Sequence, residues 1–468
     1  MIIVISDIHV SAGPLDDCDL ELENCLVSFL EELSAKASAL KLVINGDFLD
    51  FIQAPPWQGA HLEALAKDDG INLCFTEDQS VEKLQAIVAA HTRIFNAFGH
   101  FLAAKLENEL VIIPGNHDAD FFWPRVRKLF SDSVSSEHPG TGERIEFHLE
   151  QVYNPPEYKK AWIEHGHQYD PVNRFHVGDV SCWSASAPPI FTDQDNQQRL
   201  YECIGTRFLI RFMNQLDASF PFIDNVKPFS RLIRIFGASA LVVGYGPIKA
   251  AIAVWAMLRF LAMTIVRNSG DLMGLNKVHG EQLSVLLLST LKKMEAGKRT
   301  AFTQLVAERG FPLKGKPLTM HLEDAEEAEQ VIEFLSNNLD LADTLPTINE
   351  SFLSLNGGDG TLSLAQGFTV DETKALKSAA QKVQLANDVE TIIMGHTHEQ
   401  VVNPPGIKYI NTGCWTRYYD FAKSTQLTSW SILKSDSYKL FPYQLNYAEI
   451  TPGNAEPTRL VTYRERKS

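Results

Sequence analysis

Apolar residues along this chain gather into short runs that repeatedly stop at the same kinds of polar residue. Ile2-Ile3-Val4-Ile5 is a continuous apolar run of strand length, and it ends at Ser6-Asp7-Ile8-His9. A run of this length closed by polar residues is the pattern of a strand buried on both faces. Leu20–Ala37 carries apolar residues at helical spacing and leads to Leu42-Val43-Ile44, which ends at Asn45-Gly46-Asp47 with Asp50 just beyond. The order predicts a β-α-β opening with parallel neighbouring strands. Residues 52–80, rich in Pro, Gly and acidic residues, predict a surface excursion. Val81–Leu106 predicts one long helix. Leu110–Pro114 predicts a third strand ending in Gly115-Asn116-His117-Asp118, and Ala161-Trp162-Ile163 a fourth ending in Glu164-His165-Gly166-His167.

Beyond Asp170-Pro171 the rhythm changes. Residues 171–235 mix loop and helix, and Phe236–Val266 is the most hydrophobic part of the chain. Lys249 and Arg259 interrupt that stretch and Pro247 would break it, so no uncharged run reaches the roughly 18 residues of a membrane span. A core helical hairpin is expected there. The alternatives are an apolar cap over a greasy substrate or a surface that touches membrane. Residues 280–345 read as helical, including the acidic amphipathic segment Asp324–Asn337, and Gly357-Gly358-Asp359-Gly360 marks a loop. The strand-helix rhythm resumes with a helix over Val370–Asn387 and a fifth strand, Glu390–Met394, ending in Gly395-His396-Thr397-His398. Tyr409–Gly413 follows, then β-rich runs at Leu427–Lys434 and Tyr438–Leu445. The expected organisation is a core from residues 1–170 and 366–450, a mostly helical apolar insert over 171–365, and a polar tail over 451–468. No internal repeat is present.

The chain has 468 residues, 45% hydrophobic and 21% charged, enough to bury a sizeable core. Fifty-eight acidic against 42 basic residues give a net charge of −16. That argues against non-specific nucleic-acid binding, which needs a basic surface to displace counterions. Cys18, Cys25, Cys74, Cys182, Cys203 and Cys414 show no CxxC pair or framework spacing, and they read as reduced thiols. Met1 leads straight into an apolar run without the basic region or cleavage site of a signal peptide. The expectation is a cytoplasmic protein, with peripheral membrane contact through the insert as a further option.

Five strand ends thus carry similar cargo: Asp-x-His, Gly-Asp-x-x-Asp, Gly-Asn-His-Asp, His-Gly-His and Gly-His-x-His. Any one alone reads as an ordinary turn. Five in register with five strands point to imidazoles and carboxylates converging at one sheet edge, a donor set without thiolate that suits Mn, Fe or Zn.

In that order, the motifs resemble the signature of the calcineurin-like metallophosphoesterase family, over about residues 1–170 and 366–448. The resemblance implies an α/β fold, a four-layer α/β/β/α sandwich interrupted by the helical insert, with the closing β-rich run supplying the second sheet. It implies two divalent metal ions, manganese first among the choices. Asp7, His9 and His398 would hold one ion, Asn116, His165 and His396 the other, and Asp47 both. His167 would be left to the ligands' surroundings or to the substrate. His117, its ring oriented by Asp118, is expected to stabilise phosphoryl charge or protonate the leaving oxygen. Asp50 reads as a supporting residue or a helix cap. Arg417 is a candidate phosphate clamp, with a surface arginine on a β-edge as the equal alternative.

The activity implied is hydrolysis of a phosphomonoester, phosphodiester or pyrophosphate bond. Within the family the apolar insert is similar in place to that of the bacterial UDP-2,3-diacylglucosamine pyrophosphatase group, which suggests an apolar or lipid-linked substrate. This chain departs from that group in carrying His117 and in the length of the insert, so a general phosphoester hydrolase is the expectation. The alternatives are a non-catalytic metal-bound scaffold acting through the insert and a metal-dependent nuclease. Oligomeric state is not legible in the sequence.

Overall fold

The parallel core opens as the apolar runs require: β1 (Ile2–Ile5) pairs with β2 (Lys41–Asn45), and β2 with β3 (Glu109–Ile113). Between the first two, α1 (Leu20–Ser34) crosses over, capped by the Asp19 carboxylate, which accepts from the Glu21 and Leu22 amides. Glu21 and Glu23 in its first turn complement the helix dipole. Leu22, Cys25, Leu26, Phe29, Leu30 and Leu33 form its buried stripe. In this computed structural model the described residues are 1–55, 75–170, 372–420 and 441–466 (455 excepted), with shorter stretches between 173 and 334.

Two helices stand where one was expected over 81–106. α2 (Glu77–Ala90) starts at a capping box made by Thr76 and Gln79, and α3 (Thr92–Ala104) follows after a break at His91. The His91 backbone leaves the helical region at φ −123°, ψ 40°, while its ring is gripped by two carboxylates: Nδ1 lies 2.7 Å from Glu23 and Nε2 2.6 Å from Asp16. α4 (Pro124–Val134) packs with α2 and α3, and β4 (Ile145–Phe147) adds a parallel strand beside β3; neither was expected.

β5 (Ala161–Ile163) belongs to a different sheet. It pairs in parallel with β9 (Thr391–Met394), and β9 with β11 (Tyr409–Asn411); β10 (Val401–Val402) lies antiparallel at the edge. The region between holds an antiparallel hairpin, β6 (Ile190–Thr192) and β7 (Gln198–Leu200). β8 (Val226–Lys227) pairs with β12 (Tyr419–Asp420). Helices α5 (Ala296–Glu308) and α6 (Leu318–Glu323) also lie in the expected insert, and α7 (Glu372–Ala386) returns to the core.

The closing strands correct two expectations. β13 (Tyr443–Ile450) joins the first sheet antiparallel to β1, so the second sheet is built from β5, β9, β10 and β11 instead. The supposed polar tail contains β14 (Thr458–Arg466), paired with β13 along its length. The tail is polar because β14 is an edge strand; it turns Leu460 and Tyr463 toward packed residues and its arginines outward. The first sheet therefore runs β14-β13-β1-β2-β3-β4.

Strand alternation sorts the core into layers. Ile3, Ile5, Leu42, Ile44, Leu110 and Ile112 face α1 to α4. Ile2, Val4, Val43, Val111 and Ile113 meet Ala161, Ile163, Ile393 and Ile410 of the second sheet. Ile392, Met394 and Tyr409 on its far face pack on Leu376, Ala380 and Val383 of α7. Helices, sheet, sheet, helix is the expected four-layer order, and each such buried aliphatic contributes roughly 1.5–3 kcal/mol. Phe236–Val266, Gly357–Gly360 and Leu427–Lys434 lie outside the described residues. Among those described, no helix is long and apolar enough to cross a membrane, and Cys18, Cys25, Cys203 and Cys414 are buried free thiols.

Candidate metal centre

Where β1, β2, β3, β5 and β9 end, their polar residues interlock. The Asp47 carbonyl accepts from the Ile8 and His9 amides at 2.8 and 3.0 Å, and the Asp7 amide donates to the Gly46 carbonyl at 3.1 Å. The Gly395 amide donates to the His165 carbonyl at 3.0 Å, and the His396 amide to the Asp7 carboxylate at 2.9 Å. These bonds hold the backbone in an uncommon state. Asp7, His9, Asp47, His396 and His398 all have φ between 50° and 70°, five of the eight non-glycine residues with positive φ among those described. Left-handed backbone is disfavoured for side-chain-bearing residues and concentrates at functional positions.

Three groups of side chains converge there, one of them His9, Asp50 and the half-buried His117. Donor atoms of Asp7, His9 and His398 lie within 4.8 Å of one another, as do those of Asp47, His165 and His396, all buried. His9 Nε2 faces His398 Nε2 at 3.0 Å, and His398 Nε2 is 3.5 Å from Asp7. Asp47 stands between the groups, 3.0 Å from His165 Nε2 and 3.9 Å from His9 Nε2. Asn116 is buried on the adjoining strand end, and its Oδ1 has no hydrogen-bond partner. Three of the imidazoles are oriented by an oxygen on one ring nitrogen. His165 Nδ1 meets the Asn45 carbonyl at 2.9 Å, His9 Nδ1 the Asp50 carboxylate at 3.3 Å, and His396 Nε2 the Asp170 carboxylate at 3.0 Å.

His117 lies at the rim of this cluster. With 14% of its side chain exposed, against 7% or less for His9, His165, His396 and His398, it is the imidazole most open to an incoming molecule. Its Nδ1 is 2.7 Å from Asp50 Oδ2, so Asp50, not Asp118, orients the ring. Asp118 turns the other way. Its carboxylate accepts from the Phe48, Leu49 and Gly115 amides at 2.8, 3.3 and 2.6 Å, tying the β2 and β3 ends together. The expectation assumed that the neighbour in sequence would serve the ring. Orphan amides of two loops claimed it first.

Arg417 also departs from expectation. It is fully buried, its guanidinium bound to Asp19, Glu21 and the Phe441 carbonyl, so it fastens the start of α1 to the loop after Gly413 instead of facing the cluster. His167 is buried beside the cluster, 5.4 Å from His165 between ring centroids and 4.5 Å from Trp183. Its Nδ1 has no hydrogen-bond partner. Asp170 was not foreseen at all.

Residues 1–185 match the family model for calcineurin-like phosphoesterases. Members of that family are phosphoesterase hydrolases, and residues 1–185 of this chain are similar to their domain. The phosphoesterase match stops well before Gly395–His398, yet β9 and β11 complete the sheet that β5 begins, and β13 flanks β1. No curated protein matches the chain.

Charge in this cluster favours a bound cation. Asp7, Asp47, Asp50, Asp118 and Asp120 are all at most 3% exposed. Burial, assisted by the Asp47 charge, raises the Asp7 carboxyl above its usual range. Burial would raise Asp47 too, but His165, His117 and His9 outweigh it and hold that carboxyl well below the usual range. Burial opposes protonation of His165, yet Asp47 raises its imidazole to about 9. Burial also raises Asp118 to about 7 and drives His167 far below the normal imidazole range. The unpartnered Asn116 oxygen, the two facing imidazole nitrogens and the nitrogen-oxygen donor set all fit hard or borderline divalent ions.

Proposed function

We propose that the chain is a dinuclear-metal-dependent hydrolase of phosphoester bonds. Asp7, His9 and His398 would hold one ion, Asn116, His165 and His396 the other, and Asp47 would serve both. Bound there, two divalent ions supply a nucleophile at neutral pH and positive charge for phosphoryl oxygens. The supporting observation is the convergence of two Asp/His groups around Asp47 at the carboxyl edge of the phosphoesterase domain. Manganese is the first choice of metal, with iron and zinc as the other candidates.

The chain's own residues then divide the remaining work. Asp50 accepts from His117 Nδ1–H, which fixes the ring, and the protonated ring would present Nε2–H to the leaving oxygen. His9 contacts the same Asp50 carboxylate, so one acid orients a candidate metal ligand and the candidate proton donor together. The Gly115 and Phe48 amides clamp Asp118, and the His117 amide donates to Asp47 Oδ1 at 2.9 Å, so the β3 end moves with the central carboxylate. His167 closes the cluster on the side of Trp183 and Phe175, and it is assigned to the substrate pocket. The insert over 171–365 is assigned to shaping that pocket for an apolar or lipid-linked phosphoester, in a cytoplasmic protein.

The test is purified protein loaded with Mn²⁺ and offered p-nitrophenyl phosphate, bis-p-nitrophenyl phosphate, a nucleotide diphosphate lipid and single-stranded DNA. Hydrolysis of the diester or the lipid is expected. Two bound ions with no turnover on any substrate would refute catalysis and leave a metal-bound scaffold.

A further inference from the structure

The geometry points to Asp170 as a positioning residue that selects which nitrogen of His396 is offered to metal, a role that rests on the metal-centre reading above. A carboxylate can only accept, so the 3.0 Å contact between Asp170 Oδ2 and His396 Nε2 places the ring proton on Nε2 and the lone pair on Nδ1. The His165 ring is turned the other way. Its Nδ1 meets the Asn45 carbonyl, and its Nε2 is the nitrogen facing Asp47. Outer oxygens of this kind fix the tautomer and ring angle of metal-binding histidines and strengthen them as ligands.

Asp170 is itself built in. It is 1% exposed, and the same Oδ2 accepts from Asn173 Nδ2 at 2.7 Å. Its carbonyl accepts from the Asn173 and Arg174 amides, and its amide donates to the His167 carbonyl at 3.0 Å, so the residue closes the short helical turn after His165-Gly166. Asn173 Oδ1 lies 3.9 Å from Cys203 Sγ, which in turn contacts the Thr206 hydroxyl at 3.0 Å. The first residues of the insert are thereby joined to the ring of His396, more than two hundred residues further along.

Full-length wild type, Asp170→Asn and Asp170→Ala would be titrated with Mn²⁺ by calorimetry, with metal content measured on each protein and the melting temperature taken without metal. Wild type should bind two ions. Asp170→Ala should keep one at wild-type affinity and bind the other about 10–100-fold more weakly. Asp170→Asn, which keeps an acceptor oxygen in the same volume, should lose less. Equal affinities in all three proteins, or an equal loss of both ions, overturns the assignment while two-ion binding by the wild type leaves the metal-centre reading standing. Wild-type protein that binds no Mn²⁺ removes that reading, and the role of Asp170 with it.

Discussion

Gly115→Ala isolates how much the geometry of one carboxylate matters. The Gly115 backbone is not left-handed, so alanine is refused for its volume alone. A Cβ there would overlap the Asp47 carboxylate and approach its backbone amide. Asp47 has nowhere to yield. Its carbonyl is held by the Ile8 and His9 amides and its Oδ1 by the His117 amide, and it is 1% exposed. Overpacking of such a site costs roughly 1–3 kcal/mol of stability. A displacement of about 1 Å in a positioned group can cost roughly 10²-fold in turnover. The variant should therefore fold with a modestly lowered urea midpoint, bind Mn²⁺ more weakly, and hydrolyse bis-p-nitrophenyl phosphate about a hundredfold more slowly at saturating metal. Wild-type turnover and metal affinity in Gly115→Ala would refute the idea that the β2 and β3 ends are packed against each other to place Asp47.

Other perturbations separate the remaining roles. Asp47→Asn should weaken both ions together, whereas His398→Ala should mainly empty one; two tightly bound ions in Asp47→Asn would show that this residue is not shared. His117→Ala should keep both metals yet lose roughly 10²–10⁴-fold in turnover, as expected for a group that acts by proton transfer, and loss of metal instead would reassign it as a ligand. His91, away from the centre, is raised above its normal pKa by Asp16 and Glu23 in spite of its burial. Protonation is thus favoured in the folded state, so this stabilisation is fully present below the unfolded pKa of about 6.5 and fades as pH rises through the folded value. The gap in urea midpoint between wild type and His91→Gln should shrink accordingly with rising pH, and a gap independent of pH would remove the charge from the explanation.

The strand ends were legible because their signal is local: an apolar run followed at once by Asp, Asn or His needs no information from elsewhere. The layered core followed from the same runs. What escaped depended on distant partners. The break at His91 lies inside a segment with good helical periodicity, and only Asp16 and Glu23 make the break worthwhile. β14 reads as a polar tail until β13 is placed beside it, since an edge strand buries only one side of each pair. Arg417 near the Asn411-Thr412-Gly413 turn looked free for phosphate, but α1 brings two carboxylates to it from the other end of the chain. Asp50 took the ring-orienting role expected of Asp118 because adjacency in sequence does not say which way a carboxylate points after a turn. Asp170 carried no signal of its own, being five residues past His165 in a turn that reads as a boundary.

The left-handed backbone ties these threads together. A single residue with a side chain held at positive φ costs on the order of 1–3 kcal/mol, and glycine would occupy it with far less strain. Five such positions here are Asp or His, while glycines stand immediately before two of them, at 46 and 395, and Gly115 lies against the Asp47 carboxylate. Turn chemistry alone would place glycine at the strained positions too. Their side chains must therefore be needed, and the cross-strand amide bonds to Asp47 and Asp7 are what keep the strained backbone in place. The same bonds make the centre a shared property of strands from both ends of the chain, so that residues 1–170 are incomplete without the return of β9 and its two histidines.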